Sequence, residues 1–414
     1  MRPGSWTLYF EWFVALRYLC EGRTQTAFTL AAVSVGVGVI VFLSALMNGL
    51  QASLIRQTLG SQAHVVIRPL EATVRQVPAP GLGLSTARVE KPPERLRAIN
   101  QWQHVLATAR LAPHVTAVSP TVAGAAFVSR GHAVKSVALR GIDADSFDRI
   151  ISLRARMRAG SYRVGGSDVL IGVELADQLG VGVGDKLRLE SAAAAGRTDV
   201  FGVAGIFDLG NKDVNERWVL VSLRAGQTLL DLAGGISTIE VTIDRIFEGD
   251  RVARDLADRT GLVADSWMKV NQQLLIGLKS QDSSKYMIQF FVIVAAALGI
   301  ASVLAVSVVQ KAREIGIMRA VGTSRRRVMR IFLMQGLVVG LLGSALGSLL
   351  GAALALFFAT LARNPDGSPT FPVDLSPSLF ARAALIALMT GLLAAVIPAR
   401  RAARLDPAVT IHNG

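Results

Sequence analysis

Apolar residues in this chain gather into a few long uninterrupted runs, separated by segments in which apolar and polar positions alternate. That contrast sets the predicted architecture. Four runs are long enough to cross a bilayer, which takes about 20 mostly apolar residues at a helical rise of about 1.5 Å each. The first spans about Ala27 to Met47, within a segment placed at 26–48, and carries no charge. The second, about Met287 to Val309 within 277–310, is equally free of charge. The third, Ile331 to about Ala362, exceeds what a perpendicular helix needs, so tilt, a kink or extension beyond the hydrocarbon is expected. The fourth runs from about Leu379 to Pro398 within 377–398, with Arg382 near one end, where it can snorkel to the headgroups.

Residues 6–18 hold Trp6, Tyr9, Phe10, Trp12, Phe13 and Tyr18 interleaved with Glu11 and Arg17. Amphipathic rings beside charges, immediately before a span, predict an interfacial amphipathic helix within 1–25. The run behind it is too long for a cleavable signal and no small-residue cleavage pattern follows, so it is expected to stay as an anchor. Between 49 and 276 the pattern becomes that of a folded domain. Strands are predicted at His64–Arg68, Thr116–Ser119, Ala133–Gly141, Asp168–Gly172, Lys186–Ser191, Val200–Phe207, Trp218–Ser222 and Ile239–Ile243. Helices are predicted at Glu94–Leu111, Glu174–Leu179, Ser222–Leu232 and Phe247–Thr260. The expected fold is therefore an α-helical membrane protein with four transmembrane helices and a large α+β domain inserted between helices one and two. A stretch at about 70–95, containing Pro78, Pro80, Pro92 and Pro93, shows no periodicity and reads as a mobile insertion.

Composition agrees and adds orientation. Of 414 residues 51% are hydrophobic and 18% charged, with a formal net charge of +14. An ordinary globular chain carries roughly 25% charged residues, and a nucleic-acid-binding protein would explain the charge but not the hydrophobicity. Residues 1–25, 310–330 and 399–414 hold 13 Lys/Arg against 4 Asp/Glu, a net of +9. By the positive-inside rule that side is cytoplasmic, with both termini inside and the large domain and a short loop at 363–376 outside.

Little in the sequence points to catalysis. Gly182-Val183-Gly184-Asp185-Lys186 lacks the spacing and the hydroxyl residue of a phosphate cradle, so the chain is not expected to hydrolyse ATP by itself. The five histidines show no HxxxH or HExxH spacing, and Asp143, Asp145 and Asp148 lack the glycine and distal glutamate of a calcium loop, which leaves turn formation and helix capping as their reading. No GxSxG motif occurs, and the single cysteine, Cys20, permits no intrachain disulfide. No catalytic, cofactor-binding or metal-binding residue is assigned.

The signal lies in two basic segments. Residues 311–330 follow the second span, and within them Ile315, Met318 and Val321 recur at helical spacing among Arg313, Glu314 and Arg319. A compact amphipathic helix is predicted, stopped by Gly322 in a left-handed cap, with Thr323 or Ser324 opening the next helix. The other segment is Pro398-Ala399-Arg400-Arg401-Ala402-Ala403-Arg404-Leu405-Asp406-Pro407, in which Pro398 is expected to end or kink the fourth span and Asp406-Pro407 to end a short basic helix. In the third span Gly336, Gly340, Gly343, Gly347 and Gly351 form a small-residue stripe that predicts close helix packing, since each glycine costs about 1 kcal/mol in a helix relative to alanine.

The pairing of K-x-R-E-I-G-I-x-R-A-x-G-x-S-R-R-R with P-A-R-R-A-A-R-L-D-P after the last span resembles the FtsX/MacB superfamily of ABC-transporter permeases. Within it the chain is most similar to the LolC/LolE lipoprotein-releasing permease family. That likeness rests on Ala15-Leu16-Arg17-Tyr18-Leu19, Leu46-Met47-Asn48-Gly49-Leu50, Ala63-His64-Val65, Leu139-Arg140-Gly141-Ile142-Asp143, and Trp267 and Asn271 leading into Leu274-Leu275 and Gly277-Leu278. The resemblance implies a MacB-like periplasmic domain in a type VII transporter of the bacterial inner membrane. It implies a partner ATPase dimer that supplies ATP and magnesium, a second permease (identical or of LolC/LolE heterodimer type), and coupling by mechanotransmission. The expected ATPase-coupling residues are Arg313, Glu314, Ile315, Gly316, Met318, Arg319, Gly322, Ser324, Arg400 and Arg401. An acylated lipoprotein or lipid-like substrate would enter beside Val41, Met47, Asn48, Phe290 and Phe291 and pass to a periplasmic carrier. A MacB-like or glycolipid-exporting pump with an adaptor and an outer-membrane channel, and an FtsX-like signalling subunit, are the alternatives.

Overall fold

The structure, a computed structural model, describes residues 5–70, 97–192, 197–361 and 372–405. The insertion at about 70–95, most of the loop at 363–376, and Asp406-Pro407 lie outside the described residues. The chain divides into two compact units, one formed by Ile55–Leu275 and the other by Met1–Leu54 together with Ile276–Gly414.

In chain order the elements begin with α1 (Ser5–Glu21), α2 (Arg23–Leu59), β1 (Val65–Arg68), α3 (Trp102–Arg110), β2 (Val115–Arg130) and β3 (Ala133–Ile142). Next come α4 (Ala144–Ile151), β4 (Met157–Gly160), β5 (Asp168–Gly172), α5 (Val173–Leu179), β6 (Lys186–Ser191) and β7 (Thr198–Phe207). They are followed by α6 (Lys212–Arg217), β8 (Trp218–Ser222), α7 (Leu223–Leu229), β9 (Thr238–Ile243), α8 (Gly249–Thr260), β10 (Val263–Ser266) and α9 (Trp267–Val270). The chain ends with α10 (Gln272–Gln310), α11 (Ala312–Ala320), α12 (Arg325–Leu361) and α13 (Pro377–Ala403).

In the α+β unit, the described strands form one sheet in the order β10-β1-β9-β2-β3-β8-β5-β7-β4, with β6 bridging β2 and β7. The pairs β3/β8 and β5/β7 are parallel and the others antiparallel. Strands β5 and β8 read as continuous apolar runs because both of their faces are covered. Val169, Ile171, Val219 and Val221 enter one apolar cluster, whereas Leu170 and Leu220 enter another with Phe147 and Phe207. Strand β2 is far longer than the predicted Thr116–Ser119. Pro120 and Gly124 are strand-ending signals locally, yet the strand passes both because Val118, Val122, Ala126 and Val128 stay on the buried face. Asp143 caps α4, accepting from the Ser146 amide at 3.2 Å and the Ser146 hydroxyl at 2.6 Å.

In the helical unit, α2, α10, α12 and α13 are each long and apolar enough to cross a membrane. The first three contain 37, 39 and 37 residues, so each extends about 55 Å, nearly twice the roughly 30 Å hydrocarbon core. The helices therefore outrun the apolar runs that announced them. Asn48–Leu59 and Gln272–Tyr286 contain no proline, and a helix that satisfies its own backbone has no reason to stop where its side chains turn polar.

Of the two outcomes expected at Pro398, an end to the fourth span is corrected. Helix α13 runs through it to Ala403, so Arg400 and Arg401 occupy the last turn of the spanning helix. Pro398 is buried, packed where neighbouring helices can compensate for the missing backbone donor.

The glycines of α12 face two partners. An added Cβ at Gly336 would strike the Gly391 carbonyl of α13, and one at Gly340 would lie 2.8 Å from the Ala387 oxygen. At Gly347 it would lie 2.6 Å from both the Ser34 oxygen and Val37 Cβ of α2, and at Gly351 2.6 Å from the Gly38 oxygen. At Gly343 the obstacle is the Val33 side chain. The stripe packs α12 against two helices of its own chain. Helix α10 is the least enclosed span, with 17% of its most apolar window buried against 44% for α2.

Candidate functional site

At one end of the helical unit, α11 forms a knob. Its C-terminus closes in a Schellman motif, with the Thr323 amide donating to the Met318 carbonyl at 3.0 Å, the Gly322 amide donating to the Arg319 carbonyl at 3.1 Å, and Gly322 at φ +103°. Ile315, fully buried, joins Val308 of α10, Val328 and Phe332 of α12, and Ala399 and Ala402 of α13 in one apolar cluster. The Arg319 guanidinium donates to the Leu405 carbonyl behind α13. The knob is thus bolted to the ends of three long helices.

The residues expected at this site fall into two groups. Ile315 and Gly316 are buried, Met318 and Arg319 are partly buried and face inward, and Gly322 shapes the cap. Arg313, Glu314, Ser324, Arg400 and Arg401 are exposed. The exposure of two apolar residues, Ile317 at 48% and Val321 at 84%, was not foreseen from the sequence. The helical period placed Val321 with Ile315 and Met318, but the cap at Gly322 turns the last residue outward.

Lys311, at the junction of α10 and α11, ties the knob to α1. Its ammonium donates to Glu21 Oε2 at 2.5 Å and to Glu314 Oε1 at 2.8 Å, and lies 5.4 Å from the Tyr18 ring centroid. The hydrogen bond to Glu21, then that to Glu314, holds Lys311 above its ordinary pKa. The Lys311 hydrogen bond, followed by that of Arg17, holds Glu21 below its own. In α1 the exposed side carries Phe10, Trp12, Phe13 and Leu16, whereas Glu11, Ala15 and Tyr18 are buried against neighbouring helices. Glu11 is wholly buried, with Arg330 of α12 at 3.6 Å. An exposed face that carries four large apolar side chains is not that of a water-facing helix.

Near the other end, α2 and α10 are joined by a polar ladder. Gln289 donates to Ser44 Oγ at 2.9 Å, Lys285 to Asn48 Oδ1 at 3.4 Å and to Asp282 at 2.8 Å, and Gln51 to Asp282 at 3.1 Å. Phe290 and Phe291 are 60% and 64% exposed and meet edge to face at 5.6 Å. Asn48 joins the ladder and Met47 is partly buried. Val41 is not brought to them: it is fully buried against Gly351, where the absence of a side chain on α12 draws α2 in.

In the α+β unit, motif residues distant in sequence converge. His64 donates its amide to Val241 and accepts at its carbonyl from the Trp267 amide at 2.8 Å, while the Trp267 carbonyl accepts from Asn271 Nδ2 at 2.8 Å. Arg140 of β3 pairs with buried Glu240 of β9 and stacks over the Trp218 ring at 4.0 Å.

Four helices long and apolar enough to cross a membrane, with a basic knob at one end, are the frame of an integral membrane protein. The chain belongs to the FtsX/MacB superfamily: residues 26–258 match the MacB-like periplasmic core domain and residues 286–407 the FtsX-like permease C-terminal domain. It is 26% identical to the lipoprotein-releasing system transmembrane protein LolC of Xylella fastidiosa, over 96% of this chain and 98% of that one. It is 25% identical to the corresponding LolE of Haemophilus influenzae, over 93% and 94%. It is also similar to the macrolide export ATP-binding/permease protein MacB of Salmonella typhimurium, at 34% identity over 31% of this chain and 20% of that one.

Proposed function

We propose that this chain is the permease subunit of an ATP-driven ABC transporter that extracts acylated lipoproteins from the outer leaflet of a bacterial inner membrane and passes them to a periplasmic carrier. The observation that carries this reading is end-to-end likeness: the chain aligns with 98% of a LolC and 94% of a LolE, against 20% of a MacB. In this reading α1, α11 and the end of α13 are cytoplasmic, and the α+β unit is periplasmic, inserted between the first and second spans. ATP and magnesium belong to a separate ATPase dimer, and a second permease, identical or related, completes the complex.

The coupling mechanism follows from the knob. An ATPase docks on the exposed Ile317 and Val321, with the exposed Arg313, Glu314, Ser324, Arg400 and Arg401 as its polar contacts. Movement of α11 is passed through Ile315 to Val308, Phe332 and Ala399, because a close-packed cluster transmits displacement instead of absorbing it. Helix α10 is continuous from Gln310 to Gln272, so tilting its inner end moves the residue to which the periplasmic unit is covalently joined. Acyl chains enter laterally between the first and second spans of two permeases, beside Met47, Asn48, Phe290 and Phe291.

Ile317→Asp combined with Val321→Asp is expected to abolish co-purification of the ATPase while the chain remains inserted. Glu314→Ala with Arg319→Ala should uncouple ATP hydrolysis from release. Wild-type release by both double variants would sink the coupling assignment. Mass spectrometry of the complex trapped before hydrolysis tests the substrate: acylated protein supports lipoprotein release, whereas a stoichiometric periplasmic adaptor without acylated protein would transfer the chain to MacB-like export.

A further inference from the structure

A cavity of about 130 Å³ opens among α2, α10 and the first turns of α13. A buried water needs roughly 10–15 Å³ of such volume, so a group several waters in size fits with its hydration. Its walls include two cations, Lys285 and Arg382, and the donors Asn48, Gln289, Ser376 and Ser378. Among the described residues no Asp or Glu lines it, and Asp282, the carboxylate that Lys285 contacts, also accepts from Gln51. The Lys285 ammonium is 9% exposed and has three donors, of which Asp282 and Asn48 take two. Arg382 is exposed to the cavity, and among the described residues its guanidinium has no carboxylate within ion-pair distance. Helix α13 also begins here, with its first-turn amides uncapped by the Ser376 side chain, so its dipole adds to the same positive potential.

In the orientation proposed above, on which this inference rests, the cavity lies at the outer headgroup level, where the positive-inside rule makes paired cations uncommon. Acyl chains and ester-linked glycerol carry no charge that could engage Arg382. A phosphate diester does, and guanidinium binds it with two parallel hydrogen bonds. We propose that this cavity holds the phosphate of an outer-leaflet phospholipid, with Arg382 as the principal ligand, Lys285 as the second cation, and Gln289 and Ser378 completing the set. The site is separate from the exposed Phe290/Phe291 surface assigned to acyl chains.

The test uses the purified full chain in neutral detergent and a fluorescent short-chain phosphatidylglycerol, so it depends on neither lipoprotein release nor the ATPase. Arg382→Gln should weaken binding about tenfold, the loss of one charge-assisted contact. Arg382→Lys should retain most of it. Arg325→Gln makes the same charge change at an exposed position distant from the cavity and should leave affinity unchanged. Arg382 is exposed and, among the described residues, without an ion-pair partner, so its replacement should leave the gel-filtration profile intact. The proposal is overturned if Arg382→Gln binds as wild type, if Arg325→Gln loses as much, or if a diacylglycerol with the same tails competes as well as the phospholipid. Displacement by an equal concentration of inorganic phosphate would assign the cavity to a free oxyanion and overturn the lipid assignment. Loss of lipoprotein release with phosphatidylglycerol binding intact would count against the transport reading and leave this one standing.

Discussion

Replacing Gly347 by alanine puts the packing of α12 to a quantitative test. The new Cβ would stand 2.6 Å from the Ser34 oxygen and 2.6 Å from Val37 Cβ, where ordinary contacts are about 3.5–4.0 Å. Roughly 1 Å of overlap must be relieved by pushing α2 away, and the Ser34 obstacle is backbone, which cannot rotate aside. Overpacking of this kind costs about 1–3 kcal/mol. Alanine also gains about 1 kcal/mol of helix propensity over glycine, so one substitution alone mixes two effects. Gly299 of α10 separates them, since a Cβ there meets nothing within 4 Å. The propensity gain is common to both variants, and the difference between Gly347→Ala and Gly299→Ala isolates the packing cost. At about 2–4 °C per kcal/mol, the two should differ by several degrees. The assay is gel filtration of fluorescently tagged, detergent-solubilised chain after heating, with Gly277→Ala as a second open control. If Gly347→Ala survives heating as well as Gly299→Ala, the claim that glycine is required for α2 to approach α12 fails.

Two further outcomes concern the α+β unit. Burial pushes the His64 imidazole below its ordinary pKa, against the opposing effect of the Ile243 carbonyl, and Nδ1 lies 3.1 Å from both the amide nitrogen and the carbonyl oxygen of Ile243. The folded state therefore binds protons less readily than the unfolded one. Stability is fully present above the ordinary value of about 6.5 and is lost as pH falls below it. His64→Asn should flatten the heating profile between pH 7.5 and 5, and an unchanged pH dependence would remove His64 as its source. The Arg140–Glu240 pair predicts a cycle: burial pushes the guanidinium down to about 10, still cationic at neutral pH. Glu240→Leu alone should cost about 3–5 kcal/mol by leaving that charge buried and unpaired, whereas Arg140→Met with Glu240→Leu should recover much of the loss. A double variant no more heat-resistant than the single ones would show that the pair is not energetically coupled.

How much of this was legible beforehand depended on the range of the forces involved. The predicted strands at Asp168–Gly172, Lys186–Ser191 and Trp218–Ser222 coincide with β5, β6 and β8, because side-chain period and turn residues act over a few positions. Strands β4 and β10 and helices α4 and α6 were missed: four- to eight-residue elements carry too little pattern, and neighbours already in place stabilise them. The knob was readable as a helix with a glycine stop, for both signals are local. Its working face was not, because burial of Ile315 and exposure of Ile317 and Val321 are set by where α10, α12 and α13 end.

Sequence by itself determined the four apolar spans, the α+β character of the long segment between 49 and 276, the basic knob and the superfamily. These follow from solvent preference and backbone chemistry, which each residue carries with it. Tertiary structure alone decided that the α12 glycines serve α13 and α2 of the same chain, and that Val41 is sealed against Gly351. It also decided that Lys311 binds α1 to the knob, and that Lys285 and Arg382, 97 positions apart, share one cavity. Close approach and charge pairing depend on distances across helices, and a linear pattern fixes which residues could meet but not which do.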